Sequence, residues 1–575
     1  MEKNMKVKHG TWIVLGLLVS VLAVLAPAPA AAQASTCTVT SGLDSGPGTL
    51  RDHLNNRNCN RIVFDNDYTI RLSAQLIVGA NYIRRQIIDA TGHHVVISGE
   101  GNVPVMRVVA ISDVVFFNLT ITKGYCGTDC LGGPDPPGWG GGSDAPCEGG
   151  PGDGGAIRVG CSAELSIQDC TFSDNVATGS GGAIYMSAGA DLLVTQSNFL
   201  RNRAAARGGA VGPGNHTIQR TGETYYWDSR FIGNHADGSG GAISSYGPLT
   251  LEGSTLSGNS AGGNGGGVSA YYDEVAVVNS TLSGNTAAGA GGGIWDYKSL
   301  LYLTNSTLSG NSAPAGGGLY GRFEPYDSWG FHGAGVARNS ILANNTGGNC
   351  LLPAVGWNAA SKNNLADDGS CGSNFTTSPI IQLAPLGNYG GLTETMPLLP
   401  GSSAIDSGDT ATCAEFMPPP LTLPDNSIRY PHSLSVRGLD QRGVTRPQGP
   451  ACDIGAFELG YWGMVQQPTN PDGASVFNAN RGVVPIKFSL TYAGQPTCTL
   501  PPATISVQRL SAGGTSTVNE SDYVQAADSG SNFRIDQPNC QYVYNLAASS
   551  LGVGSYQANI SIGGMVSGYA KFTLK

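Results

Sequence analysis

Three short segments carry side chains suited to acid–base work on a polymer: YYDE with Asp273 and Glu274, WDYK with Asp296 and Lys298, and YGRFEPYDSWGFHG with Arg322, Glu324, Asp327 and His332. A carboxylate, an arginine and a histidine on neighbouring turns of a chain could serve as base, substrate clamp and acid in cleaving a sugar polymer. The candidate catalytic residues are therefore Asp273, Glu274, Asp296, Arg322 and His332. None is decisive, because Asp273 and Asp296 fall in different columns of the repeat described below. The alternative is that they are solvated polar residues on loop crests. The same segments are rich in rings. Tyr185, Trp295 and Tyr320 each follow an apolar residue that closes a glycine cluster, so they are expected to point outward, with Tyr271, Tyr272 and Tyr297 nearby. A flat row of Tyr and Trp can stack on sugar rings, or stack on itself to protect an exposed face. Both readings stay open, and Tyr185, Tyr272, Trp295, Tyr297 and Tyr320 are the candidate ligand-binding residues.

A second group of polar residues lies further on. Asp406, Asp409, Asp440, Asp453 and Glu458 offer hard oxygen ligands, and calcium is the ion they suit. They lack the short regular spacing of a calcium loop, and Arg442 and Arg446 stand ready to pair with them, so a structural role is favoured and no cofactor is expected. The glycine-rich stretch 132–155 has no phosphate-loop Lys-Ser/Thr, which argues against a nucleotide site and for a tethered surface loop.

These residues are positioned by a repeat. The hexapeptide STLSGN occurs at 254, 280 and 306, and FxxN or LxxN anchors give Asn175, Asn202, Asn234, Asn259, Asn285, Asn311 and Asn344. One apolar column follows the glycines: Ile157, Ile184, Val211, Ile243, Val268, Ile294 and Leu319. Another lies eight residues before each Asn: Ile167, Val194, Tyr226, Leu251, Val277, Leu303 and Val336. Two positions earlier stand Leu165, Leu192, Thr224, Leu249, Val275, Leu301 and Ala334. Short β-type runs such as VAVV and LYLT, broken by Gly and Asn, exclude a helical hairpin repeat. Three runs per period, each ending in a turn, describe one coil of a parallel β-helix, right-handed by the usual crossover rule. Leu256, Leu282 and Leu308 fill its core, the anchor asparagines form an amide ladder, and Asn279 and Asn305 offer a second, shorter one.

Length and composition agree. The chain has 575 residues, 84 of them glycine, with 40% hydrophobic and only 13% charged residues, which suits tight turns at fixed places rather than a floppy linker. A net charge of −10, with no basic patch interleaved with aromatics, excludes a nucleic-acid binder. The start MEKNMKVKHG, the apolar run TWIVLGLLVSVLAVLA and the small-residue exit PAPAAAQAS read as a secretory signal peptide ending near Ala34. No second apolar run approaches membrane length, so no transmembrane helix is expected in the mature chain. Thirteen cysteines in an exported chain are expected to be mostly oxidised. Local spacing suggests Cys37–Cys59, Cys350–Cys371, Cys413–Cys452 and Cys498–Cys540, while the pairing of Cys126, Cys130, Cys147, Cys161 and Cys170 stays open.

The repeat also carries a resemblance. GGAI…FSDN, GGAI…FLRN and GGAV…FIGN over about residues 150–345 resemble the polymorphic outer-membrane-protein type of β-helix repeat, which implies a surface-exposed adhesin or secreted protein. CTVTSGLDSGPGTLRDHL with RIVFD resembles the N-terminal opening of secreted bacterial β-helix proteins. LPGSSAIDSGD, LDQRGVTRP and CDIGAFE, with Asp406, Asp409, Asp440, Arg442, Arg446, Asp453 and Glu458, are similar to the choice-of-anchor Q domain, which closes such helices. GVVPIKFSL, with Pro485, Lys487 and Phe488, resembles a PxKF domain, and the alternating runs after residue 465 suggest a β-sandwich. The expected organisation is a signal peptide (1–34), an N-terminal cap with first coils (35–150), the repeat array (151–345), a C-terminal cap (346–462) and the sandwich (463–575). The expected role is binding of a polysaccharide or a cell-surface partner outside the cytoplasm. The alternatives are a polysaccharide lyase or hydrolase, although the compact Asp-pair, GHG and RIK signatures of a polygalacturonase-like enzyme are missing, and a structural surface-layer spacer.

Overall fold

A computed structural model describes residues 35–80, 85–130, 150–213, 222–323, 333–352, 356–414, 421–422, 428–429, 437–470, 474–480, 482–492, 495–511, 520, 523–562 and 565–575. The proposed signal peptide, Cys147, most of the glycine-rich loop, Glu324, Asp327 and His332 lie outside these residues.

Successive coils pair in parallel and build three long sheets of 10, 11 and 12 strands, with a fourth, short sheet of two-residue strands. In chain order one coil passes through sheet 1 (for example Ile294–Tyr297), sheet 2 (Leu300–Thr304) and sheet 3 (Thr307–Ser309), and the coils from residue 125 to 287 add the short sheet (Thr286–Ala287). The result is a parallel β-helix whose coils stack at about 4.8 Å, the ordinary strand spacing. Its interior is one continuous core running from Val39 to Phe375. In sheet 3 the inward column reads Phe172, Phe199, Phe231, Leu256, Leu282, Leu308 and Leu342. The three phenylalanines stack face to face, with centroids 5.0 and 4.6 Å apart.

The turns on either side of sheet 3 share one backbone plan. The first residue takes a left-handed conformation and the next points its side chain into the stack. After sheet 3 the left-handed residues are Asp174, Arg201, Gly233, Gly258, Gly284, Gly310 and Asn344. The following residues are the ladder: Asn175, Asn202, Asn234, Asn259, Asn285, Asn311 and Asn345. Each amide nitrogen donates to the next Asn Oδ1, as in Asn259 Nδ2 to Asn285 Oδ1 at 2.8 Å, and the backbone N–H of Asn259 shares that acceptor at 3.1 Å. The last rung is thus Asn345 rather than Asn344, since Asn344 occupies the left-handed site (φ 59°) that Gly fills in the coils before. The same one-residue offset moves the last core positions to Gly335 and Ala337, which pair with Leu301 and Leu303.

Before sheet 3 the left-handed residues are Asn118, Asp169, Gln196, Asp228, Gly253, Asn279, Asn305 and Asn339. Asn279 and Asn305 therefore do not form the second amide ladder expected from their spacing. Asn279 Oδ1 and Asn305 Nδ2 are buried without a hydrogen-bond partner. The ladder here is made one residue later by hydroxyls, with the N–H groups of Ser229, Ser254 and Ser280 each donating to the next coil's Ser Oγ at 3.1–3.3 Å. Glycine is required where coils approach most closely: a Cβ at Gly266 would lie 2.4 Å from the carbonyl oxygens of Gly292 and Thr286.

Both ends of the rod are covered. The helix Leu50–Asn55, capped by the Thr49 hydroxyl accepting from the Asp52 N–H, buries Leu50 and Leu54 against the first coils. At the far end Phe323, Trp357 and Phe375 form an aromatic plug, which Gly321 and Gly335 make room for. The segment 383–458, expected as the end cover, lies instead along the flank of sheet 3. Its Gln441 amide bonds Thr255 and Thr281, Glu394 pairs with Arg230, and the Ala456 N–H donates to Thr307. A C-terminal sandwich-like region follows. Tyr461–Gln466, Val483–Tyr492, Gln495–Thr497, Gln541–Ala547 and Arg534–Asp536 form one sheet, and Val476–Phe477, Met565–Leu574, Gly554–Ile562 and Ala503–Ser511 form the other. Phe488 packs at its centre on Tyr542, 4.4 Å between centroids.

Candidate functional site

Strand alternation decides where the WDYK residues point. Ile294 and Asp296 face the core and Trp295 and Tyr297 face out. Asp296 stands in register with Ala270 and Gly321 and is fully buried. Burial pushes its carboxyl up to about 7, and its Oδ1 accepts the Ser299 N–H at 3.2 Å. A carboxyl inside the rod cannot reach a substrate on its surface, so Asp296 leaves the set of candidate catalytic residues. Glu274 is buried at the start of its sheet 2 strand, and Asp273 Oδ1 accepts the Glu274 N–H at 2.9 Å in the turn before it. Arg322 is exposed, with its guanidinium 5.3 Å from the Tyr297 ring centre. Among the described residues the acid, base and clamp are therefore not brought together.

The rings are. The outward face of sheet 1 carries a cluster of Tyr246, Tyr271, Tyr272, Trp295, Tyr297 and Tyr320 across neighbouring coils. Tyr246 stacks on Tyr271 (4.4 Å, 6° between planes), Tyr271 meets Trp295 edge-on (4.9 Å), and Trp295 lies parallel to Tyr297 (5.6 Å) and nearly so to Tyr320 (6.4 Å). Cations border the strip. Arg207 sits 5.5 and 5.6 Å from the Tyr246 and Tyr271 rings and donates to the Tyr246 hydroxyl, while Lys298 and Arg322 lie over Tyr297. Burial, first, pushes the Tyr246 phenol up to about 12, so it stays a neutral hydroxyl. Tyr185 shares the register column of Trp295 but not the strip. Gly212, Ser244 and Ser269 separate them, and Tyr185 is buried, with the Arg158 guanidinium 5.8 Å from its ring. Tyr246 and Arg207 were not singled out from sequence, although one signal existed: Tyr246, Tyr271, Tyr297 and Arg322 each stand three residues after the apolar sheet 1 anchor.

A cleft of about 130 Å³ lies between the turn before sheet 3 and the 437–443 segment. Trp227, Asp228, Glu252, Asn279 and Arg437 line it. Register explains the convergence: Trp227 pairs with Glu252, and the next coil brings Val278 and Asn279 alongside. Burial, and then the Glu252 charge, push the Asp228 carboxyl up to about 6, and burial also raises Glu252. The Tyr225 hydroxyl donates to Glu252 Oε2, and the Arg437 guanidinium stacks 4.5 Å from the Trp227 ring centre.

The DIGAFE carboxylates are already supplied with donors. Asp440 Oδ2 receives the Arg442 guanidinium at 2.9 and 2.7 Å and the Glu458 N–H at 2.9 Å, and its Oδ1 receives the Arg442 and Val444 N–H groups. Arg446 pairs with Glu458 at 3.2 Å with both side chains buried, and Asp453 Oδ1 accepts the Asp406 N–H at 2.7 Å. Asp406 in turn accepts the Tyr492 hydroxyl at 3.1 Å, and Asp409 takes Lys362 and Thr412. These bonds tie the flank segment together and use the oxygens that calcium would need. Disulfides join Cys37–Cys59, Cys126–Cys130, Cys350–Cys371, Cys413–Cys452 and Cys498–Cys540. Cys170 is a buried thiol, pushed up to about 12 by burial. His53 Nδ1 lies 4.0 Å from Cys59 Sγ, but both sulfurs of that cluster are spent in the Cys37–Cys59 bond.

Residues 169–187 and 228–246 match the Chlamydia polymorphic membrane protein (Chlamydia_PMP) repeat. Each matched stretch runs from the left-handed Asp before sheet 3, through the ladder Asn and the glycine cluster, to the following sheet 1 strand or just past it. No curated protein matches the chain. Among solved structures, "jun a 1, the major allergen from cedar pollen" matches at 17% identity over 60% of this chain and 79% of that one, with a TM-score of 0.27. Among the described residues no helix is long and apolar enough to cross a membrane.

Proposed function

We propose that this protein is a secreted or cell-surface β-helix that binds an extended glycan along the aromatic strip of sheet 1. The observation that carries the reading is the row of six rings spread over neighbouring coils, bordered by Arg207, Lys298 and Arg322. The rings cover part of one another's faces, and the apolar edges and outer faces they leave form a strip that suits successive sugar rings of a polymer lying across the coils. The cations along its edge favour an acidic or hydroxyl-rich chain. The repeat similarity, the disulfides and the signal-like start support export and a surface location, and the choice-of-anchor Q-like and PxKF-like segments fit a surface-sorted protein. Asp296 in the core counts against the lyase or hydrolase reading at this face.

The test is a glycan array probed with the protein and with a Trp295→Ala, Tyr320→Ala double variant. Binding to polysaccharides that falls at least tenfold in the double variant supports the strip. Equal binding by both proteins removes it and leaves the spacer role. Release of reducing ends or unsaturated products from an acidic polysaccharide would return the enzyme reading to first place.

A further inference from the structure

The cleft beneath the 437–443 segment has more acceptors than donors. Asp228 is half-buried, and among the described residues its carboxylate accepts no hydrogen bond. Glu252 is 6% exposed and accepts only the Tyr225 hydroxyl, on Oε2. Asn279, 4% exposed and on the coil after Glu252, turns into the same cleft a buried Oδ1 with no hydrogen-bond partner. The nearest cation, Arg437, is stacked on Trp227; its charge acts on both carboxylates, but among the described residues it donates a hydrogen bond to neither. A buried acceptor left without a donor costs roughly 1–3 kcal/mol, and Asn279 Oδ1 is one, with two carboxylates beside it. The close approach is visible in the backbone as well: a Cβ at residue 253 would lie 2.2 Å from Asp228 Oδ1, so glycine stands there.

We propose that Asp228, Glu252 and Asn279 form a binding site for a hard divalent cation of the calcium class. The donor set is oxygen only, mixing two carboxylates with one amide carbonyl, which is the chemistry such a cation takes. The cleft of about 130 Å³ has room for an ion and for the waters that complete a shell of six to eight oxygens. The ligands come from three successive coils, and Leu392, Leu439 and Arg442 help to roof them, so an ion bound here joins the rod to its flank segment. Asp440 also lines this cleft, but both of its oxygens already have donors.

Trp227 in the cleft wall provides the readout, because terbium occupies calcium sites and emits when a nearby tryptophan is excited. The full chain, stripped with EDTA, is titrated with terbium and then with calcium. Saturable sensitised emission, displaced by calcium, is expected from the native protein. Asp228→Asn should weaken terbium binding at least tenfold, and Asn279→Asp, which adds a charged oxygen at a left-handed position Asp tolerates, should tighten it. The paired variants keep the test sound if one of them folds poorly, which far-UV circular dichroism reports. No saturable emission, unchanged affinity in Asp228→Asn, or no tightening in a folded Asn279→Asp each overturns the proposal.

Discussion

On one side of sheet 3 the chain turns through Gly258, Gly284 and Gly310 and places an asparagine next. On the other it turns through Asp228, Gly253, Asn279 and Asn305 and places a serine next. The residue after the left-handed position points into the stack in both turns; the asparagine amide bonds the coils on both sides, while the serine hydroxyl takes the N–H of the coil before and donates to that coil or its own. Asn285 Oδ1 takes two donors from Asn259, and its Nδ2 donates to Asn311 and to the Leu256 carbonyl. The left-handed residue itself points away from the stack. When it carries an amide or carboxylate, its partners differ from coil to coil: Asn118 donates to the Ala90 and His93 carbonyls, Asp174 takes Arg201 of the next coil, Asn339 bonds Asp409 of the flank segment, and Asn279 Oδ1 is buried without a partner. The two turns teach that a single step in sequence separates a side chain committed to the fold from one available for binding.

The comparison can be broken by substitution. Asn285→Ala strands the Asn259 N–H and amide donors inside the rod, and a loss of roughly 3–6 kcal/mol is expected in urea denaturation. A cost below 1 kcal/mol would show that the ladder is ornamental. Asp296 is the informative intermediate, an inward polar group outside both ladders. Burial raises its folded pKa to about 7 from an ordinary 3.8, so it supports folding below about pH 4 and that support is lost as pH rises through 7. Asp296→Asn should therefore gain on the order of 3 kcal/mol relative to the native protein between pH 4 and pH 8. A flat difference across that range would place the carboxyl in contact with solvent. The smallest effect is expected at Asn279→Gly, which copies the residue already present at 253. In metal-free buffer it should gain roughly 1 kcal/mol, because the change removes a buried acceptor without a donor and glycine takes the left-handed turn freely. A loss comparable to Asn285→Ala would erase the distinction between the two turns.

The coil period and the core columns were readable because each repeats seven times, and periodicity averages over local exceptions. Single exceptions were not readable in the same way. ANN at 343–345 offers two asparagines for two sites, and only the backbone tells that the first takes the left-handed turn and the second the ladder. Asp296 was set among surface acids, although alternation with the outward Trp295 already placed it inside. The flank contacts lie beyond any local pattern: Gln441 and Ser254 are 187 positions apart. The cleft at Asp228 combines both obstacles, because its three acceptors come from separate coils and each looks like an ordinary turn residue.

Thr255, Thr281 and Thr307 present the flank segment with identical hydroxyls one coil apart, bonded in turn by Gln441 and Ala456. Locally, the segment could not tell one rung from the next. What it does recognise is number. Glu394 grips Arg230 near one end, while Asp409 grips Asn339 near the other, across a fixed count of coils. Deleting or duplicating one 26-residue STLSGN unit would keep every rung well formed, yet the two grips could no longer close together. The flank segment works as a gauge, and the length of the rod beneath it is the quantity it measures.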